Sequence, residues 1–121
     1  MNAVIEAIRK RRSVRSYEPK TIPKDIISMI IEAGNEAPSA MNSQPWRFVV
    51  VEDEKVKEKL LGAALPNAKK ILEKVKDVDP ERYEMIKKRY GELKDPVYYS
   101  APAIIFVIGS GRYERKWDGS N

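Results

Sequence analysis

Two short apolar runs constrain this chain more than anything else in it: Trp46-Arg47-Phe48-Val49-Val50-Val51 and Ala103-Ile104-Ile105-Phe106-Val107-Ile108. Each has the length of a strand and is rich in β-branched residues. Each is nearly continuous rather than alternating, the pattern of a strand buried on both faces. The residues between them, about fifty, carry helical patterning, and helices also precede the first run. A helical bundle is excluded, and an α/β or α+β domain is expected.

The helix signals are local and physical. Asn2 through Arg12 places Val4, Ile5 and Ile8 at helical spacing and puts basic residues in the last turn, beside the negative end of the helix dipole. Tyr17 to Ile22 reads as a connector, and Pro23 is pre-set for a first helical position. Ile26, Ile27, Ile30, Ile31 and Ala33 form a broad apolar face expected to pack centrally. That helix should end by Ala37, because Pro38 disfavours helical geometry in the residue before it. Asp53 is suited to cap a charged helix from Glu54 to about Leu61, and a second helical piece is expected over Ala68 to Lys76. Asp79-Pro80-Glu81 combines a cap, a first-turn proline and an acid at the dipole's positive end. The helix it opens carries Tyr83, Ile86, Tyr90 and Leu93 on one stripe, with Pro96 just beyond. Gly109-Ser110-Gly111 cuts off the second strand, and Asp118-Gly119-Ser120-Asn121 resembles the approach to another helix. With no internal repeat, low-complexity stretch or linker, residues 1–121 read as a single domain.

Composition narrows the chemistry. The chain has no cysteine, which excludes disulfides, thiol nucleophiles and thiolate metal sites. It has no histidine, which removes imidazole acid–base catalysis and the commonest metal ligand. Any demanding reaction here is expected to be carried by a cofactor. The net charge of +5 favours an anionic partner. Lysine and glutamate dominate the charged residues, a balance associated with heat-adapted proteins. No apolar run is long enough to span a membrane and the N-terminus lacks the apolar core of a signal peptide, so a cytoplasmic protein with no membrane partner is expected.

Two segments could carry binding chemistry. In Arg11-Arg12-Ser13-Val14-Arg15, an extended backbone would project Arg11, Ser13 and Arg15 to one side, and a helical one would still align Arg11 with Arg15. Two guanidinium forks converging on one point suit a phosphate, with the Ser13 hydroxyl as a neutral donor. Arg12 points elsewhere in the extended case. The same residues also read as a solvated basic helix end. The second segment, Pro38-Ser39-Ala40-Met41-Asn42-Ser43-Gln44-Pro45-Trp46, sets Ser39, Asn42, Ser43 and Gln44 between two prolines. Amide side chains that donate and accept suit sugar-like hydroxyls or the edge of a heteroaromatic ring. The alternative is an ordinary helix-to-strand connection, where such residues are common. Trp46, opening a strand, reads as a core anchor.

The order, separation and setting of these segments resemble the nitroreductase family of flavin mononucleotide (FMN)-dependent oxidoreductases. The resemblance covers Ile5 to Val51 well, and the strand at Ala103–Ile108 fits the family's next core strand. It implies an α+β fold with a central sheet flanked by helices, of which this chain is similar to the N-terminal part. It implies that Arg11, Ser13 and Arg15, with Arg12 between them, hold the flavin phosphate and ribityl chain. It further implies that Pro38, Ser39, Ala40, Asn42 and Gln44 meet the flavin from the opposite subunit of a homodimer. Asn67 and Lys70 lie roughly where some members place further flavin contacts. The implied activity passes hydride from NAD(P)H through FMN to a nitroaromatic, quinone or similar acceptor. Dehalogenating and flavin-fragmenting relatives share the scaffold. Two other readings stand beside it: a truncated or inactive flavin-binding relative, and a nucleic-acid-binding module built on Arg9-Lys10-Arg11-Arg12. Against the latter, acids interleave the bases and no strand presents stacking aromatics, so no nucleic-acid partner is expected.

Overall fold

A computed structural model describes residues 2–109. The elements run α1 (Ala3–Lys10), α2 (Lys24–Asn35), a short 3-10 turn (Ala40–Asn42), β1 (Trp46–Val51), α3 (Glu54–Val78), α4 (Pro80–Gly91) and β2 (Ile104–Gly109). Helices and a two-stranded antiparallel sheet make this an α+β fold, as the sequence implies. No helix among the described residues is long and apolar enough to cross a membrane. The helix suggested by Asp118–Asn121 lies outside the described residues.

Pairing of β1 with β2 organises the rest. The register sets Trp46 opposite Gly109, Phe48 opposite Val107, Val50 opposite Ile105 and Val51 opposite Ile104. Side chains alternate across the sheet, so Trp46, Phe48 and Val50 share one face, and all three are half-buried. α2 lies on that face. A side chain at Gly34 would meet the Phe48 ring at 3.2 Å, so glycine permits the close approach of helix and strand there. Lys24, Ile27 and Ser28 border a recess with Val50 and Glu52, so α2 runs antiparallel to β1, its start at the Val51 end. On the opposite face Tyr98 packs edge-on against Phe106, ring centroids 6.3 Å apart.

The strands are less buried than their composition predicts. Arg47 and Val49 are exposed, and Val107 and Ile108 keep 65% and 50% of their surface. The apolar face of α2 likewise buries only Ile27, while Ile26, Met29 and Ile30 remain exposed. Two strands and the helices described here leave part of each apolar face without cover.

Side-chain caps open three of the helices; those at Asp53 and Asp79 were expected, whereas α1 is shorter than the expected Asn2–Arg12, with Asn2 as its cap and Lys10 its last residue. The Asn2 side chain accepts from the amides of Val4 and Ile5, Asp53 from Val56, and Asp79 from Arg82. Pro23 stands one position earlier than expected, as the cap residue of α2 rather than its first helical residue. The larger correction is α3, which is one helix of 25 residues where two pieces were expected. Pro66 lies inside it and withholds one amide from the helical ladder. The carbonyl that its ring crowds belongs to Gly62, around whose Cα there is open space. Good helix formers (Ala63, Ala64, Leu65, Ala68) flank the proline, and capping aspartates stand at both ends. Nearby Lys57, its side chain only 11% exposed, holds the start of α3 to the start of β2. Its Nζ donates to Glu54 at 2.7 Å and to the carbonyls of Ala101 and Pro102 at 3.1 and 3.3 Å. α4 packs back along α3, and its Tyr83 is one of the two buried apolar residues among those described. The ammonium groups of Lys76 and Lys87 lie 5.6 and 5.7 Å from its ring centroid.

An interior proline costs a helix about 3 kcal/mol relative to alanine. Pro66→Ala should therefore raise stability, by up to about that amount. A thermal transition that stays put or falls would mean that the packing of α3 on α4 requires Pro66.

Candidate functional site

The basic segment follows α1 directly, and residues 11–18 adopt neither helix nor strand. Arg11, at φ −55° and ψ 133°, leaves the helical conformation, so the segment carrying Arg11, Ser13 and Arg15 is not a continuation of α1. All three are exposed, and neither arginine is ion-paired with a carboxylate among the described residues. Arg12 behaves differently. Its guanidinium folds back to donate to the carbonyls of Arg9 and Arg11 at 3.1 and 2.9 Å, satisfying orphan groups at the end of α1.

The polar loop is built by short hydrogen bonds. Ser39 Oγ accepts from the Gln44 amide at 3.0 Å, closing a ring around Ala40–Ser43, and the amides of Asn42 and Ser43 donate back to Ser39 and Ala40. Met41, Asn42 and Gln44 are held at positive φ (53°, 52° and 46°), each at a cost on the order of 1 kcal/mol for a side-chain-bearing residue. Asn35, at the end of α2, fixes this frame from behind. Its Oδ1 accepts from the Trp46 indole N–H at 2.8 Å, and its carbonyl lies 3.5 Å from the Gln44 amide nitrogen. Trp46 is thus half-buried and anchored by its polar edge. Pro38, Ala40, Asn42 and Gln44 are exposed, and Ser39 is half-buried. Asn35 carries no periodicity signal; only an indole donor eleven residues on reveals its role. Asn67 and Lys70 are exposed on α3, just past Pro66.

One chain does not bring all these residues together. Asn35 and the loop stand at the Trp46 end of the strand pair. Arg15 instead borders a cavity with Arg82, Met85, Ile86, Arg89, Tyr90 and Tyr99. Tyr99 precedes β2, whose first residue pairs with Val51, at the other end of the sheet. A six-residue strand spans roughly 20 Å.

The Tyr99 turn is itself tightly determined. Asp95 accepts from the amides of Val97, Tyr98 and Ser100 at 2.9, 2.8 and 3.2 Å, while Tyr99 and Ser100 sit at φ 56° and 55°. Burial raises the Tyr90 hydroxyl above its ordinary value, and the neighbouring Tyr99 hydroxyl adds to this through charge and hydrogen bonding; Arg15 and Arg89 pull the other way. Arg82, Arg89 and Tyr99 were not anticipated as site residues, although the 82, 85, 86, 89 spacing of a single helical face is legible in the sequence.

Comparison with known proteins gives these placements a context. Residues 8–121 match the profile of the Nitroreductase family. An iodotyrosine deiodinase of Thermotoga neapolitana is 30% identical over 118 residues, which are 96% of this chain and 62% of that protein. An NADH dehydrogenase of Thermus thermophilus is 48% identical over 59 residues, 49% of this chain and 29% of that protein. A crystal structure of oxidized iodotyrosine deiodinase bound to FMN and 3-iodo-L-tyrosine superimposes with a TM-score of 0.70 at 29% identity, covering 88% of this chain and 56% of that one. The chain therefore spans less than two thirds of the length of each of these relatives.

Asn35→Ala removes the acceptor of the Trp46 indole and should cost roughly 1 kcal/mol. Amide exchange at Gln44 and Trp46 should quicken with it. Unchanged exchange would mean that Ser39 alone holds the loop.

Proposed function

Because the chain belongs to the nitroreductase family, we propose that it binds FMN and serves as an oxidoreductase that passes hydride from NAD(P)H to a nitroaromatic, quinone or similar acceptor. FMN supplies the two-electron exchange; the residues of the chain supply grip, orientation and access. With no cysteine or histidine available, no side chain is assigned as a nucleophile or an imidazole base. Working with reduced nicotinamide, the protein is read as cytoplasmic.

The observation that carries this reading is the state of Arg11, Ser13 and Arg15. They are exposed, with no described carboxylate paired to either arginine, at the positions where the family resemblance implies a grip on the flavin phosphate. A dianion satisfies two such forks with charge-assisted hydrogen bonds. Arg12, spent on the end of α1, fixes the direction in which this segment leaves the helix. The Pro38–Trp46 loop offers the complementary chemistry. Its strained frame is already folded, so presenting the Asn42 and Gln44 amides to a ring edge costs little further ordering.

The placement of these groups supports a homodimer with shared flavin sites as part of this reading. The loop and Arg15 stand at opposite ends of the strand pair, so a second copy is the natural source of the missing half at each site. The exposed Ile26, Met29 and Ile30 on α2 give such a pairing an apolar surface to bury.

The purified full chain should take up FMN and show flavin absorbance. Arg11→Ala should weaken FMN binding roughly tenfold or more, the equivalent of one charge-assisted hydrogen bond, without moving the thermal transition. A chain that takes up no FMN would overturn the reading. Undiminished affinity in the variant would remove Arg11 from the site.

A further inference from the structure

Apart from Arg15, the cavity beside α4 is lined by groups that the flavin reading leaves unused. It measures about 350 Å³, the size of a site for a small organic molecule. Arg82, Met85, Ile86 and Arg89 come from one face of α4, at positions i, i+3, i+4 and i+7, and Arg15 closes the cavity from the segment after α1. Three guanidinium groups thus border one space, and no acidic residue lines it. None of the three is ion-paired among the described residues. The acids of α4, Glu81 and Glu84, are outside the lining.

The remaining walls are not those of a simple solvated charge cluster. Tyr90 and Tyr99 are half-buried side by side in the lining, and Met85 and Ile86 add soft apolar surface. Tyr99 is held in position by a turn whose three amides converge on Asp95 and whose backbone is at positive φ. Two aromatic rings accept a flat partner by stacking or edge contact, while planar guanidinium groups accept a carboxylate or phosphate in paired hydrogen bonds. That Arg15 and Arg89 act electrostatically on the Tyr90 hydroxyl fits cations and rings sharing one small volume.

We propose that this cavity binds a small aromatic anion, a flat ring bearing a carboxylate or phosphate, and that Arg82 and Arg89 select such acceptors over neutral ones. The acceptor role rests on the flavin reading above; the binding itself does not. Arg82 and Arg89 are specificity-determining residues, since they hold the ligand's charge and take no part in electron transfer.

The test uses the full chain as purified, and again with FMN at saturation, titrated calorimetrically with 4-nitrobenzoate and with nitrobenzene. The two probes differ only in the carboxylate. The expected result is 4-nitrobenzoate binding at least about tenfold tighter than nitrobenzene, the preference one charge-assisted contact gives. The double variant R82Q/R89Q should lose at least about tenfold for 4-nitrobenzoate and nothing for nitrobenzene. Both arginines are exposed, and should the double variant lose its helical circular dichroism, the single variants R82Q and R89Q each carry part of the same loss. Equal binding of the two probes, or undiminished 4-nitrobenzoate binding in the variants, would overturn the proposal. So would inorganic phosphate competing as well as 4-nitrobenzoate, because the ring would then contribute nothing. If FMN displaces 4-nitrobenzoate and R82Q/R89Q loses FMN instead, the cavity serves the cofactor's own phosphate and the proposal falls. Failure of the chain to take up any FMN would sink the flavin reading alone, since the titration without FMN reads the cavity independently.

Discussion

The antiparallel pairing of β1 with β2 is the constraint on which the rest depends. It joins residues that are far apart in sequence, and the helical hairpin of α3 and α4 is the excursion it closes. Its register decides which groups can meet. Trp46 opposite Gly109 puts the polar loop and Asn35 at one end; Val51 opposite Ile104 puts Lys57, the Asp95 turn and Tyr99 at the other. A shift of one residue would turn Trp46, Phe48 and Val50 away from α2 and leave Gly34 facing nothing that needs its small size. The two candidate binding regions are therefore held apart by the same ladder that holds the fold together.

That ladder is also under-covered. A two-stranded sheet is marginal in water, and fully burying a valine or isoleucine is worth roughly 1.5 to 3 kcal/mol. Val107, Ile108 and the exposed isoleucines of α2 therefore represent stabilisation that the described residues do not capture by themselves. The same apolar surface on α2 that weakens an isolated chain would strengthen a pair of chains, which is how fold and proposed function become linked.

Much of this was legible in the sequence because its signals are local. Side-chain caps at Asp53 and Asp79, the Tyr83, Ile86 and Tyr90 part of the α4 stripe and the β-branched run at Trp46–Val51 each act within a few residues and appear where expected, whereas Leu93 lies past the end of α4 at Gly91. What was misread depends on distant neighbours. Two pieces were expected where α3 runs unbroken from Glu54 to Val78, through Pro66 and against α4. Continuous apolar strands argued for burial on both faces, but burial depends on how much chain is available to cover them. In the candidate site, the arginine segment and polar loop were found by residue type and spacing, together with the family resemblance. Asn35 was missed because its importance lies in one hydrogen bond to Trp46. The Arg15–Arg82–Arg89 grouping was missed because it exists only once α4 folds over the segment after α1.

The central claim is that each flavin site is completed by a second copy of the chain, because one copy places its phosphate-binding and ring-binding groups at opposite ends of a sheet. Analytical sedimentation of the FMN-loaded chain, followed at the flavin absorbance over a dilution series, tests this most directly. The account predicts that flavin travels with a species of twice the chain's mass and is released as dilution drives that species apart. Flavin travelling at saturation with a single chain would contradict it.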